Sequence, residues 1–364
     1  TQYMSLGYEL FTWNNAVHNT IANIKDDITY YVGSHKVTAG LSYEYQMADN
    51  AYMRNGTGYY RYSSVDDFVN GAAPEVVCLT YGYDGEKNPA ARVQFSKLGL
   101  YAQDDWNPTE NFKLTYGVRF DGLFFNNSDL MTNKAILDLD YYDSNNDVRH
   151  IDTGKWPSAG ISVSPRVGFK WDVLNDKSLT LRGGTGLFVG RLPLVFFTNM
   201  PTNSGMVQYQ AQINAKNAEK KGFTMDAFKG GLVTDANGKA TTQALLDKLY
   251  TLGYPKTITP EDGTVPSSIS AVDSKFKMPQ VWKTSLAVDY QLPVSFPFTV
   301  TVEGIFNKTI NGVMMSDWSM LPAEGFARWN GADNRPVFPS NFRNSTKAFV
   351  LENTSKGYGY SANV

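Results

Sequence analysis

The chain has 364 residues, with 33 Lys+Arg against 35 Asp+Glu and a net charge of −2, which excludes a strongly basic nucleic-acid binder. Hydrophobic residues make up 42 % and charged residues 19 %, too apolar a mix for a chain disordered throughout, yet no run approaches the ~18 apolar residues of a membrane helix. The single cysteine, Cys78, excludes an intrachain disulfide and a Cys-based zinc site.

Period-two alternation dominates the chain, and a 3.6-residue period fits none of the segments that carry it. Residues near 1–9 look like strand material, and Ile24–Val32 follows as a weak strand. After Gly33-Ser34-His35, apolar Val37, Ala39, Leu41, Tyr43, Tyr45 and Met47 alternate with polar or small neighbours. A long excursion near 49–94 leads to Leu98–Trp106 and the turn Asn107–Asn111. Phe112, Leu114, Tyr116, Val118 and Phe120 then alternate with Lys113, Thr115, Gly117, Arg119 and Asp121. A second excursion, near 127–160, precedes the alternating run Ile161–Val173, the turn Leu174–Lys177 and a strand at Leu179–Val189. The third excursion, 191–276, ends at an alternating run from Trp282 to Leu292, the turn Pro293–Pro297 and Phe298–Phe306. A fourth excursion near 313–356 closes on strand material at 357–364.

About ten strands of roughly 9–13 residues match tilted membrane-spanning strands better than soluble ones. Turns rich in Gly, Pro, Asn and Asp alternate with long excursions without exception, as short periplasmic turns and long extracellular loops do in an outer-membrane barrel. The fold class expected is all-β: an antiparallel up-and-down transmembrane β-barrel segment. Residues 1–364 form the partial barrel, and 191–276 form a long extracellular insertion whose segment 243–250 has helical spacing and a stop at Gly253 and Pro255. Tyr30, Trp106, Phe112, Trp171, Tyr290 and Phe298 cluster beside the four tight turns, where barrels carry aromatic girdles. Asp26 and Asp104 fall on the apolar face by strict count. Each either lies at the membrane boundary or marks a β-bulge.

The polar face should line a lumen, with Arg119, Arg166, Lys170 and Arg182 as lumen-facing charges. Charges of both signs on this face suit pairing along the wall. Gly58-Tyr59-Tyr60-Arg61-Tyr62 on the first excursion carries residue types that bind flat or sugar-like ligands and proteins, or that pack the loop on its neighbours. Asp138–Asp143 with Asp147 forms an acidic loop, more simply solvated than calcium-binding. Gly183-Gly184-Thr185-Gly186 lacks the Lys-Ser/Thr of a phosphate loop and suits a close approach within a sheet. His35 reads as a turn residue, the three histidines have no metal-like spacing, and no nucleophile elbow is present. No metal, cofactor or enzymatic activity is expected.

Gly99-Leu100-Tyr101-Ala102-Gln103-Asp104-Asp105-Trp106 with Leu114–Asp121 resembles a mid-barrel hairpin of TonB-dependent outer-membrane receptors. Ser164–Phe169, Leu181–Gly186 and Gly190-Arg191-Leu192-Pro193 resemble the next hairpin, and the ordered set is most similar to the Oar-like branch, which carries a carboxypeptidase-regulatory-like domain ahead of the plug. The resemblance implies a barrel of about 22 strands, an N-terminal plug and a TonB box. It also implies uptake of a scarce ligand, powered through TonB. About ten strands cannot close such a barrel, so the chain is expected to be an internal fragment forming wall and extracellular mouth. Implied partners are outer-membrane lipid, TonB and a plug outside this chain, and a small ligand, peptide or glycan, with no nucleic acid. Under this resemblance Arg119, Arg166, Lys170 and Arg182 face the plug or ligand, or simply pair along the wall. Two alternatives stand beside this reading: a passive porin-like channel, and an adhesive or structural surface protein.

Overall fold

The computed structural model describes residues 4–322, 324–339, 341, 343 and 346–364. In chain order the strands are β1 (Ala16–Val32), β2 (His35–Ala51), β3 (Tyr59–Arg61), β4 (Val76–Gly82), β5 (Ala91–Thr109), β6 (Phe112–Asn126), β7 (Tyr141–Tyr142) and β8 (Val148–Arg149). They continue with β9 (Gly160–Asp172), β10 (Leu179–Val189), β11 (Gln208–Ile213), β12 (Ser268–Val272), β13 (Gln280–Gln291), β14 (Thr299–Asp317), β15 (Lys347–Thr354) and β16 (Tyr358–Asn363). One 11-stranded sheet runs β1-β2-β5-β6-β9-β10-β13-β14-β15-β12, with β16 also on β14. Among the described residues the sheet does not close on itself: β1 pairs with β2 alone.

Neighbours joined by tight turns are antiparallel hairpins. Gly33-Ser34 joins β1 to β2 with Val32 opposite His35, and Gly33 takes φ +55°, a left-handed conformation open to glycine without strain. Because cross-strand partners share a face, the register assigns every side chain to one side of the sheet. Leu41, Leu100 and Phe120 form one cross-strand row; Leu181, Val288 and Val302 form another. Leu100, Phe120, Val163, Leu286 and Val302 are 42 to 53 % exposed, whereas Gln46, Asp121 and Ser164 on the opposite face are 8 % exposed or less. The apolar stripe therefore faces outward, the reverse of a soluble β-fold. Among the described residues no helix is long and apolar enough to cross a membrane.

The buried cores lie where the long connections gather. One joins Ile136, Tyr141, Ile151 and Trp156 from the second connection to Phe197, Met200, Ile269, Trp318 and Val350. The other belongs to a module built by two connections 100 residues and more apart in sequence. There β4 from the first connection pairs with β3 on one edge and with β11 from the third connection on the other, and α4 (Ala215–Lys220) and α5 (Thr242–Thr251) join them. Along the chain α1 (Val65–Val69), α2 (Lys134–Leu137) and α3 (Val195–Thr202) precede these two helices. Leu79, Ile213, Phe228, Leu245 and Leu249 fill the module's interior. Thr241 caps α5 by accepting from the Ala244 N–H, and Gly253 at φ +79° ends it.

Three expectations change. Residues 4–15 form no strand, and 1–3 of that segment lie outside the described residues. β12 and β15 pair in parallel, which a pure up-and-down meander does not contain. Asp104 keeps regular register with Val37 and Tyr116, and Asp26 with Leu41, so neither marks a bulge.

Leu286 sits in mid-strand on the outward face, and Leu286→Arg is expected to destabilise the assembled barrel by about 2–4 kcal/mol, the cost of a cation at the bilayer midplane. Denaturant titration of the whole protein folded into lipid vesicles checks this, with Thr115→Arg on the inward face as the milder control.

Candidate functional site: the inner wall and the mouth

The inward face is a ladder of ion pairs. Arg119 binds Asp121 at 2.8 Å and donates to Ser42 Oγ at 2.8 Å, with its guanidinium over the Tyr101 ring. Lys97 reaches the same Asp121 at 3.6 Å. Gly99 makes this possible, since a Cβ there would lie 2.1 Å from the Arg119 guanidinium. Gly40 likewise leaves room for the Tyr101 ring. On the other side, Arg182 holds Asp289 at 2.9 Å and Glu303 at 3.6 Å, and Thr301 donates to Asp289. Lys113, Lys170 and Arg182 stand in one row across β6, β9 and β10. Like charges placed opposite each other repel; Asp105 beside Lys113 and the Asp289–Glu303 pair beside Arg182 offset this. Arg166 lies over the Phe188 ring at 5.5 Å.

All four lumen-facing candidates thus share the inward face, but Arg119 and Arg182 are engaged by carboxylates of the wall itself. The wall-pairing reading accounts for both. The Gly183–Gly186 run serves close approach: a Cβ on Gly186 would sit 2.9 Å from the Arg166 Cβ across β9.

In the loop module, Tyr59, Tyr60 and Arg61 form β3 and pair with Cys78, Val77 and Val76. The Tyr60 ring packs on the module's core and its hydroxyl accepts from the Val233 N–H at 3.3 Å. Arg61 pairs with Glu75 at 3.2 Å on the surface, and Tyr62 packs edge-on against Phe68. The packing alternative therefore describes Tyr60 and Tyr62, while Arg61 stays exposed. The two connections are stitched further by Tyr81 donating to the Pro255 carbonyl and Tyr83 donating to that of Gly205. Burial raises both phenols and the Cys78 thiol above their ordinary pKa, so the thiol stays protonated and is poorly nucleophilic.

Two polar clusters escaped the sequence reading. In the second connection, Asp143 is buried rather than solvated. Arg149 bridges it at 3.1 Å to Asp273 at 2.6 Å and lies over the Trp318 ring. Burial pushes the Asp143 carboxyl up. The Asn145 and Asp147 N–H groups and the Arg149 guanidinium outweigh this and hold it below its ordinary value. At the short-turn end, His35 is more than a turn residue: its Nδ1 lies 2.6 Å from Asp104 Oδ2, and its ring stacks on Trp106. Tyr116 donates to the same Asp104 oxygen at 2.8 Å. A carboxylate tolerated on the oily face is thus covered by three aromatic neighbours; the signal in the sequence was the outward parity of His35, Asp104, Trp106 and Tyr116 together. Among the described residues no three His, Cys, Asp or Glu side chains gather as a metal site.

An oily outward face, an ion-paired inward face and long connections gathered at one end define the wall of a membrane β-barrel. The chain belongs to the outer membrane beta barrel domain family, whose model matches residues 4–355, and it is an outer-membrane protein. It is similar to the outer membrane transporter YddB from Escherichia coli, at 12 % identity and TM-score 0.47, over 95 % of this chain and 29 % of that one. It is also similar to a mutant of the ferric enterobactin receptor PfeA from Pseudomonas aeruginosa, at 12 % identity and TM-score 0.44, over 95 % and 32 %. The FrpB iron transporter from Neisseria meningitidis aligns at 11 % identity and TM-score 0.41, over 95 % and 34 %. The chain spans about a third of the length of these structures. No curated protein matches it.

Arg149→Met leaves two buried carboxylates facing each other, and is expected to destabilise the packed second connection by about 3 kcal/mol, seen as faster protease cleavage within 127–160. Asp143 has a lowered folded pKa. Its contribution is therefore complete above the ordinary carboxylate value and is lost as pH falls below about 4, so acid should expose the same cleavage sites in the unaltered protein.

Proposed function

We propose that this chain forms part of the wall and the extracellular mouth of a TonB-dependent receptor of the Oar-like branch, which takes up a scarce ligand across the outer membrane. The observation that carries the reading is the two-sided sheet: side chains suited to hydrocarbon on one face, and a hydrated ladder of fixed charges on the other. The ordered motifs at 99–106, 114–121, 164–169 and 181–193 support energy coupling through a plug and TonB supplied outside this chain. The sheet's unclosed edge at β1 supports its place as a fragment of a larger barrel. The long connections then face outward as extracellular loops, and 191–276 is the insertion that builds most of the mouth module. Arg166 and Lys170 are the wall cations proposed to face plug or ligand; Arg119 and Arg182 hold the wall together. Tyr59 and Arg61 are the proposed ligand-contacting edge, braced by Tyr60 and Tyr62. The structural neighbours include an iron transporter, a copper transporter and a siderophore receptor, which makes a metal chelate the first ligand class to test. The folded module at the mouth, with its own core, favours one second reading, in which it grips a surface partner.

Cells carrying the whole protein should outgrow cells lacking it when one such nutrient is limiting, and loss of TonB should erase that advantage. An advantage that survives loss of TonB would instead identify a passive channel. Deleting 204–274 in the whole protein separates the readings: loss of attachment to surfaces with uptake intact assigns the module to adhesion.

A further inference from the structure

A cavity of about 580 Å³ lies against the inward face, where the chain leaving β10 doubles back over the sheet. Residues 190–195 cross from the end of β10 to β2, four strands away, a span of roughly 19 Å along the sheet. The crossing begins with the Gly190 N–H bound to the Pro279 carbonyl. It ends in α3, where Phe197 and Met200 are buried in the larger core. Midway, Arg191 pairs with Glu44 on β2 at 2.6 Å. Glu44 is held for this by Gln46, whose amide donates to its other oxygen at 2.8 Å.

The cavity beneath has an apolar lining, including Ile21, Phe95, Leu123, Leu192, Val195 and Met278. Its other charges are already engaged by the wall: Asp121 with Arg119 and Lys97. Arg191 differs. Its side chain is 69 % exposed, and among the described residues Glu44 is the one carboxylate within ion-pair distance. The pair is one-sided: Glu44 is largely buried and fixed by Gln46, whereas the exposed guanidinium is open to water and can take another oxyanion because its planar fork fits both.

We propose that this cavity binds a compact anionic amphiphile, whose apolar body fills the space under the crossing strand and whose carboxylate or similar oxyanion takes Arg191 from Glu44. The inference rests on the reading of the inward face as a water-filled wall, and it narrows the ligand by its chemistry: one negative end, one oily body, a size within the usual range of small-ligand pockets.

The test uses the whole protein in lipid nanodiscs, with Cys78→Ser and any cysteine outside this chain also replaced by serine, and Leu123→Cys as a reporter inside the cavity. A membrane-impermeant trimethylammonium methanethiosulfonate labels the reporter, and decanoate is the probe ligand. At four times its Kd, decanoate should slow labelling about five-fold, the factor 1 + [L]/Kd for a single site. Decanol should give no such protection. Arg191→Ala should abolish protection by decanoate, and Glu44→Gln should lower the decanoate concentration needed. Protection that is absent, equal with decanol, or unchanged by Arg191→Ala overturns the proposal. Leu100→Cys on the outward face tests the underlying reading separately: its reaction with the impermeant reagent would defeat the wall assignment itself, whereas a shielded Leu100→Cys with an unprotected Leu123→Cys defeats the amphiphile site alone.

Discussion

Hydrocarbon offers no hydrogen-bond partner, so every backbone N–H and C=O crossing it must be satisfied within the protein. The central strands of this sheet meet that requirement by pairing on both sides in long, regular antiparallel registers: β2 between β1 and β5, β6 between β5 and β9, and β10 between β9 and β13. Once that ladder is set, the two-residue repeat of a strand does the rest. One row of side chains meets lipid and the alternate row meets water, and neither can be exchanged without moving the register by one. The inward charges follow as a consequence. They stand at positions already shielded from hydrocarbon, so they pair with one another rather than with an apolar core.

The barrel wall was legible in the sequence because its information is local. Alternation within 112–121 and 161–173, and Gly- or Asn-rich turns between such runs, suffice to place hairpins, and the apolar parity of Leu41, Leu100 and Phe120 is the same parity that the register puts on one face. The loop module was far less legible because its contacts are distant in sequence. Nothing near Val77 announces that Ile213 will lie opposite it, nor anything near Ile269 that Ala348 will pair with it in parallel. Short strands such as β3 and β12 have too few residues to show a period.

The charged sites show the same divide. Face was readable for Arg119 and Arg182, but the Arg182–Asp289 pair depends on strand stagger, and the room for the Arg119 guanidinium depends on Gly99, across the strand, lacking a side chain. Asp104 looked misplaced because parity alone counts a carboxylate on the oily side as an error. Three-dimensional packing adds His35, Trp106 and Tyr116 around it and turns that position into a sheltered polar spot at the end of the strands. Arg191 and Glu44, 147 positions apart, could be joined only by a chain path that no periodicity describes.

The shared module of β3, β4 and β11 has a consequence for how the protein can be made and altered. The edge offered by β4 remains bare until more than a hundred further residues have emerged and β11 arrives to cover it, so the cap cannot mature in step with the hairpins below it. Formation of this module therefore depends on two distant segments meeting. An inserted or shortened stretch in either one must be matched by the other, which ties the variation of two loops that are strangers in the linear chain.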